Sequence, residues 1–402
     1  MSAQYIYDLS SIISNGSYET DSQIKVTNCF TSKDLGFGSR HKILNYNKEL
    51  LGKDPQSVGT LGLFRSVIIE TQNNHIVSFA PPKSYEFNSF VNQFPNNDDN
   101  NLTVEEFVEG TMINVFYDNV IQGWRIATRR TVDGHVSFFK NKSGATFNTM
   151  FDDACKKNNL NIAFLDKQFV YSFVLQHPEN RIVLPIKTPQ LYLVAVYYIN
   201  NETFQVAPIK MDRVKSSGLF SSTSVKFPEE YAFTSYEDLV NQFASNKIPF
   251  NVMGLVIKHN LYNVRTKIRN PVYEEIKQLR GNQPKLQYQY LLLRQQGKVS
   301  DFLKIYPENK KEFASFRNQI HQFTETLYNC YVSCYIKKEA PLSTYPGQFK
   351  THMFNIHQHF LNELKEKGEY VSHNTVISYV NSLHPSKLMY SLNFNMHTKP
   401  TA

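Results

Sequence analysis

Glu105-Glu106-Phe107-Val108-Glu109-Gly110-Thr111-Met112-Ile113 is the stretch on which the reading of this chain turns. It sets two acids, an aromatic ring, a third acid and a glycine directly ahead of Met112 to Tyr117, a β-branched and aromatic run whose composition predicts a strand. Phe107 carries no lone pair, so no covalent intermediate can form on its side chain. Further short runs of the same kind lie on either side: Leu63 to Glu70, His75 to Ala80, Trp124 to Thr131, Phe169 to Gln176, Leu191 to Tyr198 and Val252 to His259. Helical patterns are fewer there, at Thr146 to Asn158 and Ser235 to Ser245, and polar loops are expected at Asn96 to Asn101 and Ser216 to Ser224. Asp133-Gly134 reads as a hairpin turn.

Beyond Asn270-Pro271 the texture changes. Phe316, Ile320, Phe323, Leu327, Tyr331 and Cys334 recur at the three- and four-residue spacing of one helix face, which marks core. Further helices are expected over Lys285 to Gln296, Gln348 to Lys367 and Asn374 to Leu383, punctuated by Pro341, Pro346, Gly368 and Pro385. The reading is therefore an irregular lead-in over 1–60, an α+β domain over 61–275 and an all-helical domain over 276–402.

The 402 residues are 41% hydrophobic and 19% charged, a globular composition. The net charge of +8 favours a polyanionic partner such as nucleic acid. Cys29, Cys155, Cys330 and Cys334 have neither zinc spacing nor disulfide-scaffold density, which points to a reducing compartment. No run approaches the ~18 apolar residues of a membrane span, so the expected location is cytoplasmic, including a viral factory or the nucleus, with no membrane partner. His352, His357 and His359 share no clean helix face, so no metal site is expected there.

Five segments, in order, resemble the phage-type RNA ligases, the branch of the covalent nucleotidyltransferases typified by the tRNA-repair RNA ligase of large phages. Leu63-Phe64-Arg65-Ser66 through Glu70 resembles the family's Arg-Gly strand, and Pro81-Pro82-Lys83-Ser84-Tyr85 its RP-x-x-KFFN segment. Pro178-Glu179-Asn180-Arg181-Ile182-Val183 is similar to its P-x-NRIV tail, Met253-Gly254-Leu255-Val256 to EG-x-V, and Lys267 to Tyr273 to K-x-K-x-x-x-Y. Phe107 falls 24 residues after Lys83, about where the family has its nucleophilic lysine in Lys-x-Asp-Gly. The resemblance covers roughly residues 60 to 275. It implies a ligase or capping-enzyme type of domain, with antiparallel sheets and flanking helices, followed by a helical domain.

Three positions that the resemblance assigns to the nucleophile and to two glutamates placing metal or nucleotide are apolar here: Phe107, Val174 and Met253. A shift of two residues replaces Val174 by Gln176, also neutral. Divalent metals on nucleotide phosphates want hard anionic oxygens, which these side chains lack, and the three are expected to fill the vacated pocket as core. The cations remain: Arg65, Lys83, Lys258, Lys267 and Arg269, with Arg129 and Arg130 on a strand end. Glu109 and Gly110 stand where the family's acid and glycine contact the nucleotide, and Arg181 is expected to brace the fold through a buried salt bridge.

Three readings follow. The first is a catalytically inactive RNA-ligase-like pseudoenzyme that binds RNA or nucleic-acid backbone through a retained basic cleft. The second is a structural or protein-interaction subunit of a viral or RNA-processing assembly. The third is an active ATP-dependent RNA ligase with displaced residues, Lys83 or Lys258 reaching the phosphate; ATP and Mg are expected only in that case.

Overall fold

The computed structural model describes residues 6–29, 40–95, 101–139 and 143–397; the loop expected at Asn96 to Asn101 lies almost wholly outside them. The chain falls into two compact units, Met1–Gln278 and Leu279–Ala402. In chain order the strands are β1 (Tyr7–Asp8), β2 (Ile24–Cys29), β3 (His41–Tyr46), β4 (Val67–Glu70), β5 (Ile76–Phe79), β6 (Leu102–Glu106) and β7 (Thr111–Asp118). They continue as β8 (Gly123–Ala127), β9 (Phe169–Gln176), β10 (Gln190–Asn200), β11 (Gln205–Pro208), β12 (Glu230–Tyr231), β13 (Gly254–His259) and β14 (Val264–Arg269).

These strands build three sheets, ordered β1-β11-β10-β9-β7-β8, β12-β6-β13-β14 and β2-β3-β4-β5. Every neighbouring pair within them is antiparallel. With flanking helices and a helical C-terminal unit, this is the expected α+β class.

Central β9 is buried along six consecutive residues, Val170 to Leu175, because both of its faces are covered. That is why it reads as a near-continuous apolar run instead of an alternation, interrupted by Ser172, whose hydroxyl donates to Asn114 Oδ1 at 2.8 Å. On one face the helix Phe147–Lys157 lays down Phe147, Met150, Phe151 and Ala154 against Tyr171, Phe173 and Leu193. Its first turn is held by a capping box between Thr146 and Thr149. The four-stranded sheet of β12, β6, β13 and β14 is backed by Phe90 and Phe94 and by Tyr236 and Leu239 of the helix Tyr236–Phe243.

The lead-in is not irregular. β2 and β3 pair with each other, and β3 pairs with β4, so two strands from residues 1–60 complete the third sheet. The interrupting Ser, Asn and Gly residues hid them; β2 is exposed or half-exposed at Lys25 to Asn28 and carries little apolar signal.

A buried polar network joins this sheet to the six-stranded one. His41 Nε2 on β3 lies 3.1 Å from the Asp118 carboxylate at the end of β7, Arg125 on β8 reaches Asp118 at 3.4 Å, and its two remaining nitrogens donate to Asp133 at 2.9 and 2.6 Å. Against the cost of burial, the bond from His41 and the Val120 and Ile121 amides hold the Asp118 carboxyl well below the usual carboxylate range. Asp133 and Gly134 both have φ of 63° and form a turn, but not the expected hairpin: the antiparallel bridge of Ala127 with Val132 is closed ahead of them, where the Thr128 amide donates to the Thr131 carbonyl at 2.9 Å.

In the second unit the long helix Lys310–Tyr331 buries Phe313, Ile320, Phe323, Leu327 and Tyr331 on one face. Phe323 packs on Phe349 of the helix Gly347–His359, with ring centroids 5.2 Å apart. Both helices run on into single wider turns, at Val332–Ile336 and Phe360–Leu364.

Candidate nucleic-acid interface

β6 delivers the opening stretch to the centre of the first unit. The Phe107 amide donates to the Gly254 carbonyl at 3.0 Å, continuing the β6–β13 pairing past the end of the strand. The chain then turns through Gly110 at φ of 151°, where a Cβ would lie 2.5 Å from the Leu175 carbonyl oxygen and 2.6 Å from Val174 Cγ1. Only glycine fits that approach. Gly254, at φ of 131°, faces the Ile268 carbonyl under the same constraint.

Glu109 is almost fully buried. Its carboxylate accepts from the amides of Val183 at 3.2 Å and Leu184 at 3.0 Å, and from the Tyr273 hydroxyl at 2.7 Å. The acid assigned to nucleotide contact by resemblance is thus engaged in tying three segments of this unit together. Nearby, the Gln176 amide donates to the Glu109 carbonyl at 2.9 Å. Arg181, half-buried instead of buried, donates to the Val183 carbonyl at 3.2 and 3.1 Å, a contact to backbone and not the expected salt bridge.

The expected filled core is only partly there. Val174 is buried at 6% exposure, but Phe107 and Met253 are half-buried. Over the Phe107 ring sits the Lys267 ammonium, 3.9 Å from the centroid, with the Arg269 guanidinium at 5.5 Å. A cation above an aromatic face is attracted by the ring quadrupole, so the phenyl supports positive charge at this spot.

Around it the cations crowd. Burial, then the charges of Arg265, Arg65, Arg269 and Lys277, push the Lys267 ammonium well below the ordinary lysine value. Burial, with Arg265 and Arg129 adding to it against Tyr46 and Tyr197, pushes Arg65 down to about 10. Lys83 is lowered by burial and by Arg65, Arg269 and Arg265, with Glu86 opposing. Among the described residues no carboxylate pairs with Arg65, Lys83 or Lys267, whereas Arg269 reaches Glu274 at 2.8 Å. Arg129 lies 5.3 Å from the Tyr46 ring centre, and its buried Nε has no hydrogen-bond acceptor among the described residues.

The structure brings together Arg65, Lys83, Arg129, Lys267 and Arg269. Arg130 is exposed and separate, and Lys258 is held by Glu105. Sequence reasoning missed Arg265, which donates to the Pro81 and Pro82 carbonyls at 3.2 and 2.7 Å. The signal was present: Arg265, Lys267 and Arg269 alternate along β14 and share one face, while Thr266 and Ile268 are buried on the other.

The side chains at 107, 174 and 253 present no hard oxygen and do not fit a divalent metal on a nucleotide. Among the described residues no group of three or more His, Cys, Asp and Glu could hold a metal. His352 spends both ring nitrogens on Tyr379 and Ser391, at 2.9 and 2.8 Å. No helix among the described residues is long and apolar enough to cross a membrane.

In sequence the chain is similar to a phage RNA ligase and to an iridescent virus protein. It is 24% identical over 287 residues to an RNA ligase of Rhodothermus phage RM378, covering 62% of this chain and 62% of that protein. It is 26% identical over 294 residues to an immediate-early protein ICP-46 homolog of Invertebrate iridescent virus 6, covering 66% of this chain and 60% of that one. The chain therefore spans about three fifths of the length of these curated relatives. No family model matches it. Among solved structures it is similar to an archaeal ATP-dependent RNA ligase, with a TM-score of 0.41 and 10% identity over 75% of this chain and 74% of that one. A mutant Naegleria gruberi RNA ligase gives 0.37 and 14% over 52% and 62%.

Proposed function

We propose that the protein binds the phosphate backbone of RNA through Arg65, Lys83, Arg265, Lys267 and Arg269, and forms no lysyl-nucleotide bond at position 107. The observation that carries this is the Lys267 ammonium, seated on the Phe107 ring among like charges without a carboxylate partner among the described residues. Such a cluster is held against its own repulsion by the fold, and a polyanion relieves the repulsion on binding. Phosphate contacts need only charge and donors, whereas phosphoryl transfer also needs a nucleophile and metal ligands. The likeness to a protein named RNA ligase supports a nucleic-acid partner.

Neutralising phosphates releases counterions, so five engaged cations give single-stranded RNA a slope of about −3.5 in log affinity against log salt. Affinity then falls about 100-fold between roughly 50 and 200 mM salt. Lys267→Glu with Arg269→Glu should weaken binding further and flatten the slope. A flat slope together with indifference to both substitutions would sink the proposal and leave the scaffold reading. Incubation with labelled ATP or GTP and magnesium should leave no acid-stable adduct; an adduct mapped to Lys83 or Lys258 would favour the displaced-ligase reading.

A further inference from the structure

Behind the cationic cluster lies a cavity of about 150 Å³ that shares Lys83 and Arg265 with it but is not lined by Phe107, Lys267 or Arg269. Its walls come from β10 and β11 of the six-stranded sheet, from the turn joining β13 and β14, and from the segment around Pro82. Lys83, Lys210 and Arg265 line it, with Lys258 on the ion pair to Glu105 beside them, and among the described residues no aspartate or glutamate lines it. Tyr7 and Tyr85 supply aromatic wall, with the Tyr7 hydroxyl fixed on the Asn263 carbonyl at 2.7 Å. The buried Arg265 Nε has no acceptor among the described residues.

An aromatic and apolar wall rimmed by cations alone suits a flat ring attached to an anion. The volume has room for a single such ring and falls short of the usual drug-sized pocket. We infer that this cavity receives one base of a bound nucleic-acid strand, with the adjoining phosphate on the shared Lys83 and Arg265. The inference rests on the backbone-binding reading and narrows its ligand to single-stranded nucleic acid. A base within a duplex is stacked and paired, and cannot enter the cavity without being extruded. A nucleoside monophosphate has the same chemistry, and the experiment separates the two sources.

The test uses the full chain, a labelled single-stranded RNA roughly 12 nucleotides long, its duplex, and adenosine monophosphate alone. Met211 lines the cavity and is half-buried, so Met211→Trp fills the space without touching the cluster. It should weaken single-strand binding about 5- to 100-fold, the worth of one stacked base, and leave duplex binding unchanged. Lys210 is exposed, so Lys210→Glu keeps the fold and should give the same single-strand bias should Met211→Trp fail to fold. Equal effects on strand and duplex, or none on either, would overturn the inference. So would loss of monophosphate binding in Met211→Trp with the strand unaffected, which assigns the cavity to a free nucleotide. The two readings fail separately: charge reversal at Lys267 and Arg269 bears on the cluster alone, and Met211→Trp bears on the cavity alone.

Discussion

Replacing Glu109 with alanine should destabilise the first unit by about 3 to 5 kcal/mol. The carboxylate accepts two backbone amides, Val183 at 3.2 Å and Leu184 at 3.0 Å, and the Tyr273 hydroxyl at 2.7 Å. Each such bond to a charged acceptor is worth about 1.5 to 3 kcal/mol, for a gross loss of roughly 4.5 to 9. Removing the cost of burying the carboxylate offsets part of that, which brings the net into the stated range. Tyr273→Phe removes the hydroxyl that donates to Glu109 and should cost about 1.5 to 3 kcal/mol alone, and less when Glu109 is already alanine. The chain's single tryptophan, Trp124, lies on β8 in the first unit and packs edge-on against Tyr117 at 5.5 Å. Its fluorescence during urea unfolding therefore follows that unit without contribution from the helical one. A loss below about 1 kcal/mol for Glu109→Ala, or additive effects of the two substitutions, would refute the account of Glu109 as a structural tie.

Lys267→Met should stabilise the first unit by about 1 kcal/mol at neutral pH, the part left after solvent screening of a half-buried charge. Because the folded chain holds the Lys267 proton less tightly than the unfolded one, wild-type stability rises with pH between the lowered value and the ordinary 10.5. The gap between variant and wild type should thus be widest below that window and narrow across it; a gap that widens with pH would contradict the sign. Gly110→Ala and Gly254→Ala should each cost about 2 kcal/mol or more, since a Cβ meets backbone at both and neither φ suits an L side chain. Urea midpoints within about 0.5 kcal/mol of wild type would show that the two close approaches are relieved without strain.

Where a residue's role depends on its neighbours along the chain, the sequence revealed it. The 3.6-residue period of Ile320, Phe323 and Leu327 and the apolar run of β9 identify elements directly, because burial of one helix face or of both strand faces leaves a local pattern. Arg65, Lys83, Lys267 and Arg269 were found through motifs, and they converge in space. Roles that depend on distant partners were hidden. Glu109 looks the same in sequence whether it meets a ribose or the amides of residues more than 70 positions away, and only the fold brings Val183 and Leu184 to it. β2 escaped notice because four of its six residues face solvent wholly or in part. Phe107 was expected to be buried on hydrophobicity alone; the two cations above its ring keep the site charged and leave the phenyl half-buried.

The His41–Asp118–Arg125 contact also determines where an autonomous piece of this protein can begin. A chain trimmed to start at Leu61 keeps every ligase-like motif, yet it removes His41 and leaves Asp118 with Arg125 as its remaining charged neighbour. It also strips β2 and β3 from β4, turning a covered strand into an open edge lined with Val67, Ile68 and Ile69. Limited digestion that cuts between residues 47 and 60 should therefore yield a fragment that aggregates, and the smallest soluble piece must start ahead of Ile24.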